Sequence, residues 1–123
     1  NDVAENTGPY DPEYTMSNIR SMVELAQSNN IKVILASVLP ATKFEWNRGL
    51  GDRSSMIIDL NQRLATYAKS AGIPFVDYHT ALSNAKGGMD LEFAAYGVHP
   101  TTRGYEVMKS LLLPVVKHTR ERK

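Results

Sequence analysis

The chain has 123 residues, enough for one domain with a real core. Fourteen basic side chains against 13 acidic ones leave a net charge of +1, with 42% hydrophobic and 22% charged residues. That balance gives no electrostatic case for nucleic acid or an anionic membrane. The absence of cysteine excludes disulfides, thiolate nucleophiles and Cys-based zinc sites, and no apolar run approaches the ~20 residues of a membrane span.

In chain order, Asp11-Pro12-Glu13 reads as a helix start with proline in the first turn. Ile19, Met22, Val23 and Ala26 follow at i, i+3, i+4, i+7 and predict its inner face, and Ser28-Asn29-Asn30 ends it. Residues 33–39, with Val33 and Leu39 at the ends, form an almost unbroken apolar run rich in β-branched side chains. Such a run suits a central parallel strand buried on both faces. Residues 40–52 carry Pro40, Gly49, Gly51 and the only tryptophan, Trp46, and predict a long exposed loop.

A second amphipathic helix is marked by Ile57, Leu60, Leu64, Tyr67 and Ala68 and stops at Gly72. Phe75-Val76 reads as a second short strand followed by a helical turn, and residues 83–90 as loop. Thr101 or Thr102 caps a last helix with an inner face of Tyr105, Met108, Leu111 and Leu112. Pro114 is expected to kink or end that helix. The basic residues 117–123 beyond it suit a solvated helix end. Helix, strand, helix, strand, loop, helix argues for an α/β layer fold with a parallel sheet. Two interior strands expect neighbours, so part of the sheet is expected elsewhere.

His99 is the residue that most invites a chemical reading. Pro100 biases it away from helical geometry at a helix entrance, and Gly97 permits a tight approach before it. From the residues alone it is either a base or an incidental loop histidine. His79 follows a strand end in a weaker context, and His118 lies in the basic tail and reads as solvated. The spacing of the three histidines matches no metal motif, so no zinc or other metal is expected. No Gly-x-Ser-x-Gly elbow and no glycine-rich phosphate loop occur. Ser54 and Ser55 read as helix caps, and Ser37 as a buried strand residue. The chain thus offers a base without a nucleophile.

Two separated stretches share a resemblance. Residues 96–108, YGVHPTTRGYEVM, resemble the last block of SGNH (GDSL-type) hydrolases, Asp-Gly-Val-His-Pro-Asn-x-x-Gly-Tyr-x-x-Met. Residues 1–8, NDVAENTG, resemble the end of their Gly-x-Asn-Asp block, and VILASVLPATKFEWNRG between them is similar to the strand and Pro-Trp loop of the esterase-like branch. The resemblance implies a three-layer, flavodoxin-like parallel sheet. Residues 1–123 would be the C-terminal portion of one such domain, with about two strands and three main helices.

It also implies a serine esterase acting on small acyl esters, plausibly acetyl groups on carbohydrate, through an acyl-enzyme and without cofactor. Asn1 matches the asparagine whose amide helps to form the oxyanion hole. Asp2 stands beside it in a structural role, and His99 matches the general base. Phe44 and Trp46 fall in the loop expected to border the substrate, or else to pack the loop. The family's usual setting is secreted or periplasmic bacterial.

Two departures follow from the same comparison. The serine nucleophile and oxyanion glycine of the family belong to blocks before Asn1, so this chain is expected to be inactive alone. The triad carboxylate belongs three residues before His99, where Tyr96 stands; a phenol is neutral at pH 7. Asp90 is a possible substitute from the preceding loop. The alternative reading is a catalytically degenerate carbohydrate-binding relative. The apolar edge at residues 33–39 is expected to be covered by the preceding segment or by a second copy of the chain.

Overall fold

A computed structural model describes residues 1–121. The elements in chain order are α1 (Pro12–Ser28), β1 (Leu35–Ala36), a 3₁₀ segment (Glu45–Leu50), α2 (Ser54–Ala71), β2 (Phe75–Val76), α3 (Tyr78–Leu82), β3 (Ala94–Ala95), β4 (His99–Pro100) and α4 (Thr102–Glu121). β1 and β2 pair in parallel, Leu35 opposite Phe75 and Ala36 opposite Val76, while β3 and β4 form a separate antiparallel hairpin.

Helix α1 starts where the sequence predicts, with the Asp11 carboxylate accepting the Glu13 N–H and Pro12 in the first turn. Its inward face is Thr15, Met16, Ile19 and Val23, with Ala26 half-buried; of the predicted stripe only Met22, 59% exposed, points outward. Helix α2 buries Ile57, Leu60, Leu64 and Ala68 and ends on Gly72, a left-handed cap with φ +69°. The expected capping by Ser54 and Ser55 is corrected: the Asp52 carboxylate accepts the Ser54 N–H at 2.8 Å. That N–H, with the Ser54 side chain, holds the Asp52 carboxyl below the usual carboxylate range.

The sheet divides two apolar layers. Val33, Leu35 and Phe75 pack against Val23 of α1 and Ala68 of α2. On the other side Ile34, Leu39 and Val76 pack with Tyr78 and Leu82 of α3 and with Val107, Met108, Leu111, Leu112 and Val115 of α4. Alternate residues of one strand therefore face different helices, the pattern of a sheet covered on both sides. The paired strand is only Leu35–Ala36 rather than residues 33–39, and Ala36 and Val38 are exposed. Among the described residues β1 pairs with β2 alone. The Asn61 side chain takes both the N–H and the carbonyl of Val38, at 2.7 and 3.0 Å. Ser37 is buried as expected, its hydroxyl accepting the His79 N–H.

Helix α4 runs through Pro114 to Glu121 instead of ending there. Its inner face carries Val107, Met108, Leu111, Leu112 and Val115, and this packing on both sides of the proline holds the helix together despite the lost hydrogen bond. Tyr105 is 57% exposed and does not belong to that face. No helix among the described residues is long and apolar enough to cross a membrane.

Candidate active site

The loop that carries Asn1 is held by polar contacts along most of its length. Asp2 accepts the Thr15 hydroxyl of α1 at 2.7 Å. Arg53, 7% exposed, donates to the Val3 carbonyl at 3.1 Å and to the Glu5 carboxylate at 2.8 Å. Asn47 donates to the Ala4 carbonyl. Glu5 has φ +56°, a left-handed conformation unfavourable for a side chain with a Cβ. It persists because the Arg53 guanidinium and the Tyr10 N–H both bind its carboxylate. Burial, then the nearby Asp59 carboxylate, pushes the Tyr10 phenol above its ordinary range.

His99 lies on β4, an element that the sequence reading did not contain. The turn joining β3 to β4 is closed by the Val98 N–H on the Ala95 carbonyl at 3.3 Å. Both of its central residues have positive φ, Tyr96 at +53° and Gly97 at +75°, as in a type I′ turn. Thr101 then locks the hairpin to α4: its N–H donates to the Phe93 carbonyl, its hydroxyl to the Glu92 carbonyl, and the same hydroxyl accepts the Gly104 N–H. Thr101 is thus the cap anticipated from the sequence.

Gly104 is buried, and a Cβ there would overlap the Phe93 carbonyl oxygen and approach Pro100 at 3.2 Å. Helix propensity alone favours alanine over glycine by up to about 1 kcal/mol. The clash is with backbone and outweighs it, so Gly104→Ala is expected to destabilise by roughly 1–3 kcal/mol and to displace the His99 hairpin. Urea unfolding measures this, and a more stable variant would contradict it.

One core cluster joins the three segments that carry the candidate residues. Val3 and Ala4 pack with Ala41, Phe44, Ile57, Leu60 and Leu64, and Val98, next to His99, packs against them. Phe44 is 7% exposed and therefore packs the loop; Trp46 is 51% exposed. The expected exposed loop is thus buried at Pro40, Ala41 and Phe44 and open at its Trp46 tip. Beneath Asn1 lies an apolar cavity of about 440 Å³ whose lining includes Asn1, Val3, Val38, Leu39, Phe44 and Val98.

At the surface a continuous chain of contacts links the two ends of the sequence. Asn6 donates from Nδ2 to Asn1 Oδ1 at 2.9 Å, and its own Oδ1 accepts the Trp46 indole N–H at 2.7 Å. The Trp46 ring lies 5.3 Å from Phe44 and 6.4 Å from the His99 imidazole, centroid to centroid. Asn1, Trp46 and His99 therefore occupy one end of the molecule, although nearly the whole chain separates the first from the last. Asn6 was not singled out in the sequence, where a lone polar loop residue carries no periodic signal.

Tyr96 is 83% exposed and has no hydrogen bond to His99 among the described residues. The Asp90 carboxylate accepts Asn84 Nδ2 at 3.1 Å and is engaged there. His79 lies within α3, its N–H on the Ser37 hydroxyl, and His118 is exposed on α4, both away from this chain of contacts.

A parallel strand pair packed between helices on both faces is an α/β layer architecture. The family model described as GDSL-like lipase/acylhydrolase matches residues 1–107, and the chain belongs to that family. A GDSL-like lipase from Bacteroides thetaiotaomicron is 45% identical with a TM-score of 0.93, over 96% of this chain and 58% of its own. A candidate acylhydrolase from Bacteroides fragilis is 46% identical, also at 0.93, over 97% of this chain and 58% of its own. A member of the lipolytic G-D-S-L family from Veillonella parvula is 27% identical at 0.71, over 95% and 58%. The chain thus spans less than two thirds of these structures. No curated protein matches it. The architecture is that of part of an α/β SGNH domain.

Proposed function

We propose that residues 1–123 supply the general base and one oxyanion donor of a serine ester hydrolase. The nucleophile and the remaining strands would come from a segment preceding Asn1. What carries this reading is the chain of contacts Asn1–Asn6–Trp46–His99, which gathers both motif residues at one end of the fold. A serine Oγ attacks the acyl carbon while His99 takes its proton, and the Asn1 amide donates to the carbonyl oxygen as it becomes an oxyanion. The intermediate collapses, His99 returns the proton to the departing alcohol, and water repeats the sequence to release the acid.

The preferred substrate is a small acyl ester, acetyl on carbohydrate in particular. Trp46, 51% exposed, sets an aromatic face suited to a sugar ring beside the base, and Tyr96, 83% exposed, lies in the turn before it. A strand of the preceding segment would run beside β1, whose Ala36 backbone faces away from β2, over the apolar cavity at Asn1. Without that strand a second copy of the chain would take the same edge.

The test is to compare this chain with a longer protein carrying the preceding segment, on p-nitrophenyl acetate and by light scattering. The longer protein should hydrolyse the ester in a His99-dependent way. The chain alone should be inactive and self-associating. Equal His99-dependent turnover by a monomeric 123-residue chain would sink the proposal. A second reading, a binding protein without turnover, is favoured by one observation: Tyr96 gives His99 no carboxylate partner.

A further inference from the structure

We propose that Asn6 is a positioning residue that sets which end of the Asn1 amide faces the site, its own orientation being set by Trp46. This rests on the reading of Asn1 as the oxyanion donor. A carboxamide has two ends of similar shape and opposite function, since the NH₂ stabilises an oxyanion and the carbonyl repels it. Something must choose between them.

The choice starts at Trp46. An indole N–H donates and never accepts, so the group 2.7 Å away must be the Asn6 carbonyl oxygen, Oδ1. That turns Asn6 Nδ2 toward Asn1, where at 2.9 Å it requires an acceptor, and Asn1 presents Oδ1. The Asn1 NH₂ is left pointing away from Asn6, with no acceptor among the described residues. The Asn6 backbone N–H also binds the Asn1 carbonyl at 3.1 Å, which holds the two residues side by side. Trp46 is itself fixed against Phe44 and borders His99. The same side chain thus lies beside the base and dictates the polarity of the oxyanion donor.

The discriminating experiment is a comparison of Asn6→Asp with Asn6→Ala in the longer protein. A carboxylate at position 6 still accepts from Trp46 but can only accept from Asn1. It would draw the Asn1 NH₂ toward itself and turn Oδ1 into the site. Losing one oxyanion donor costs roughly 10²–10³-fold in kcat, so Asn6→Asp should lower kcat by about 100-fold with KM changed less than threefold. Asn6→Ala merely frees the Asn1 amide to rotate, and should cost about tenfold or less. A packing role predicts the reverse order, the isosteric Asp being milder than Ala.

An Asn6→Asp enzyme as active as Asn6→Ala would overturn the proposal. Trp46→Phe keeps the ring and removes the donor, which covers the case in which Asn6→Asp fails to fold. If the longer protein shows no His99-dependent hydrolysis, the esterase reading has failed, and the relay is decided by NMR. The Trp46 indole N–H should lose protection from exchange in Asn6→Ala, and the Asn1 side-chain amide signals should move in Trp46→Phe. No change in either overturns the relay.

Discussion

In the longer protein, His99→Ala should lower kcat for p-nitrophenyl acetate by roughly 10²–10⁴-fold, the range of one general base, with little change in KM. The imidazole is exposed at the surface beside Trp46, so its loss removes no core packing. The hairpin beneath it is held by the backbone of Ala94 and Ala95 and by Thr101, none of which needs the imidazole. Unfolding transitions should therefore stay where they were. His118→Ala, on the exposed side of α4, serves as a control and should leave the rate unchanged. A His99→Ala protein that hydrolyses the ester at the original rate would remove His99 from the chemistry.

What the sequence made legible follows from which forces act locally. Helix α2 and strand β2 are where periodicity and capping put them, because Ile57, Leu60, Leu64 and Ala68 repeat at helical spacing and Gly72 accepts the left-handed cap. Met22 and Tyr105 fit the spacing of an inner face and point outward. An apolar residue one position off the centre of a stripe satisfies the same spacing, and only the packed partner decides. The apolar run at residues 33–39 promised a long strand, but pairing needs a neighbour, and β2 reaches only Leu35 and Ala36.

The β3–β4 hairpin was invisible because Tyr96-Gly97 lacks the Asn-Gly or Asp-Gly signature of a primed turn. The site divides in the same way. Asn1 and His99 are proposed through a family resemblance, since neither has a local partner that spacing could detect. Asn6 and Arg53 owe their importance to contacts across tens of residues, Asn6 to Trp46 and Arg53 to Val3 and Glu5, which no window along the chain contains.

The turn at Tyr96 leads to the second large effect, a gain. Tyr96→Asp in the longer protein should raise kcat by about 10²-fold or more, approaching the ~10⁴ that an orienting carboxylate contributes in serine hydrolases. Two physical changes coincide at this position. The backbone at φ +53° disfavours a bulky aromatic residue and tolerates Asp, so the turn itself is relieved. The new carboxylate also stands three residues before His99 on the same hairpin, where it can orient the imidazole and stabilise its charged form. Tyr96→Asn separates the two, because it relieves the turn without supplying charge; it should raise stability slightly and leave the rate near its starting value. The gain must also vanish in the His99→Ala background, since residues that act as one unit are not additive. A rise in Tyr96→Asp that survives loss of His99 would place the new carboxylate in some other role. No rise at all would mean that His99 is held without an acid, by a backbone carbonyl, or that the cleft binds its ester without cleaving it. Substrate binding measured with the same variants decides between those two, because a binding protein retains affinity while showing no His99-dependent turnover in any of them.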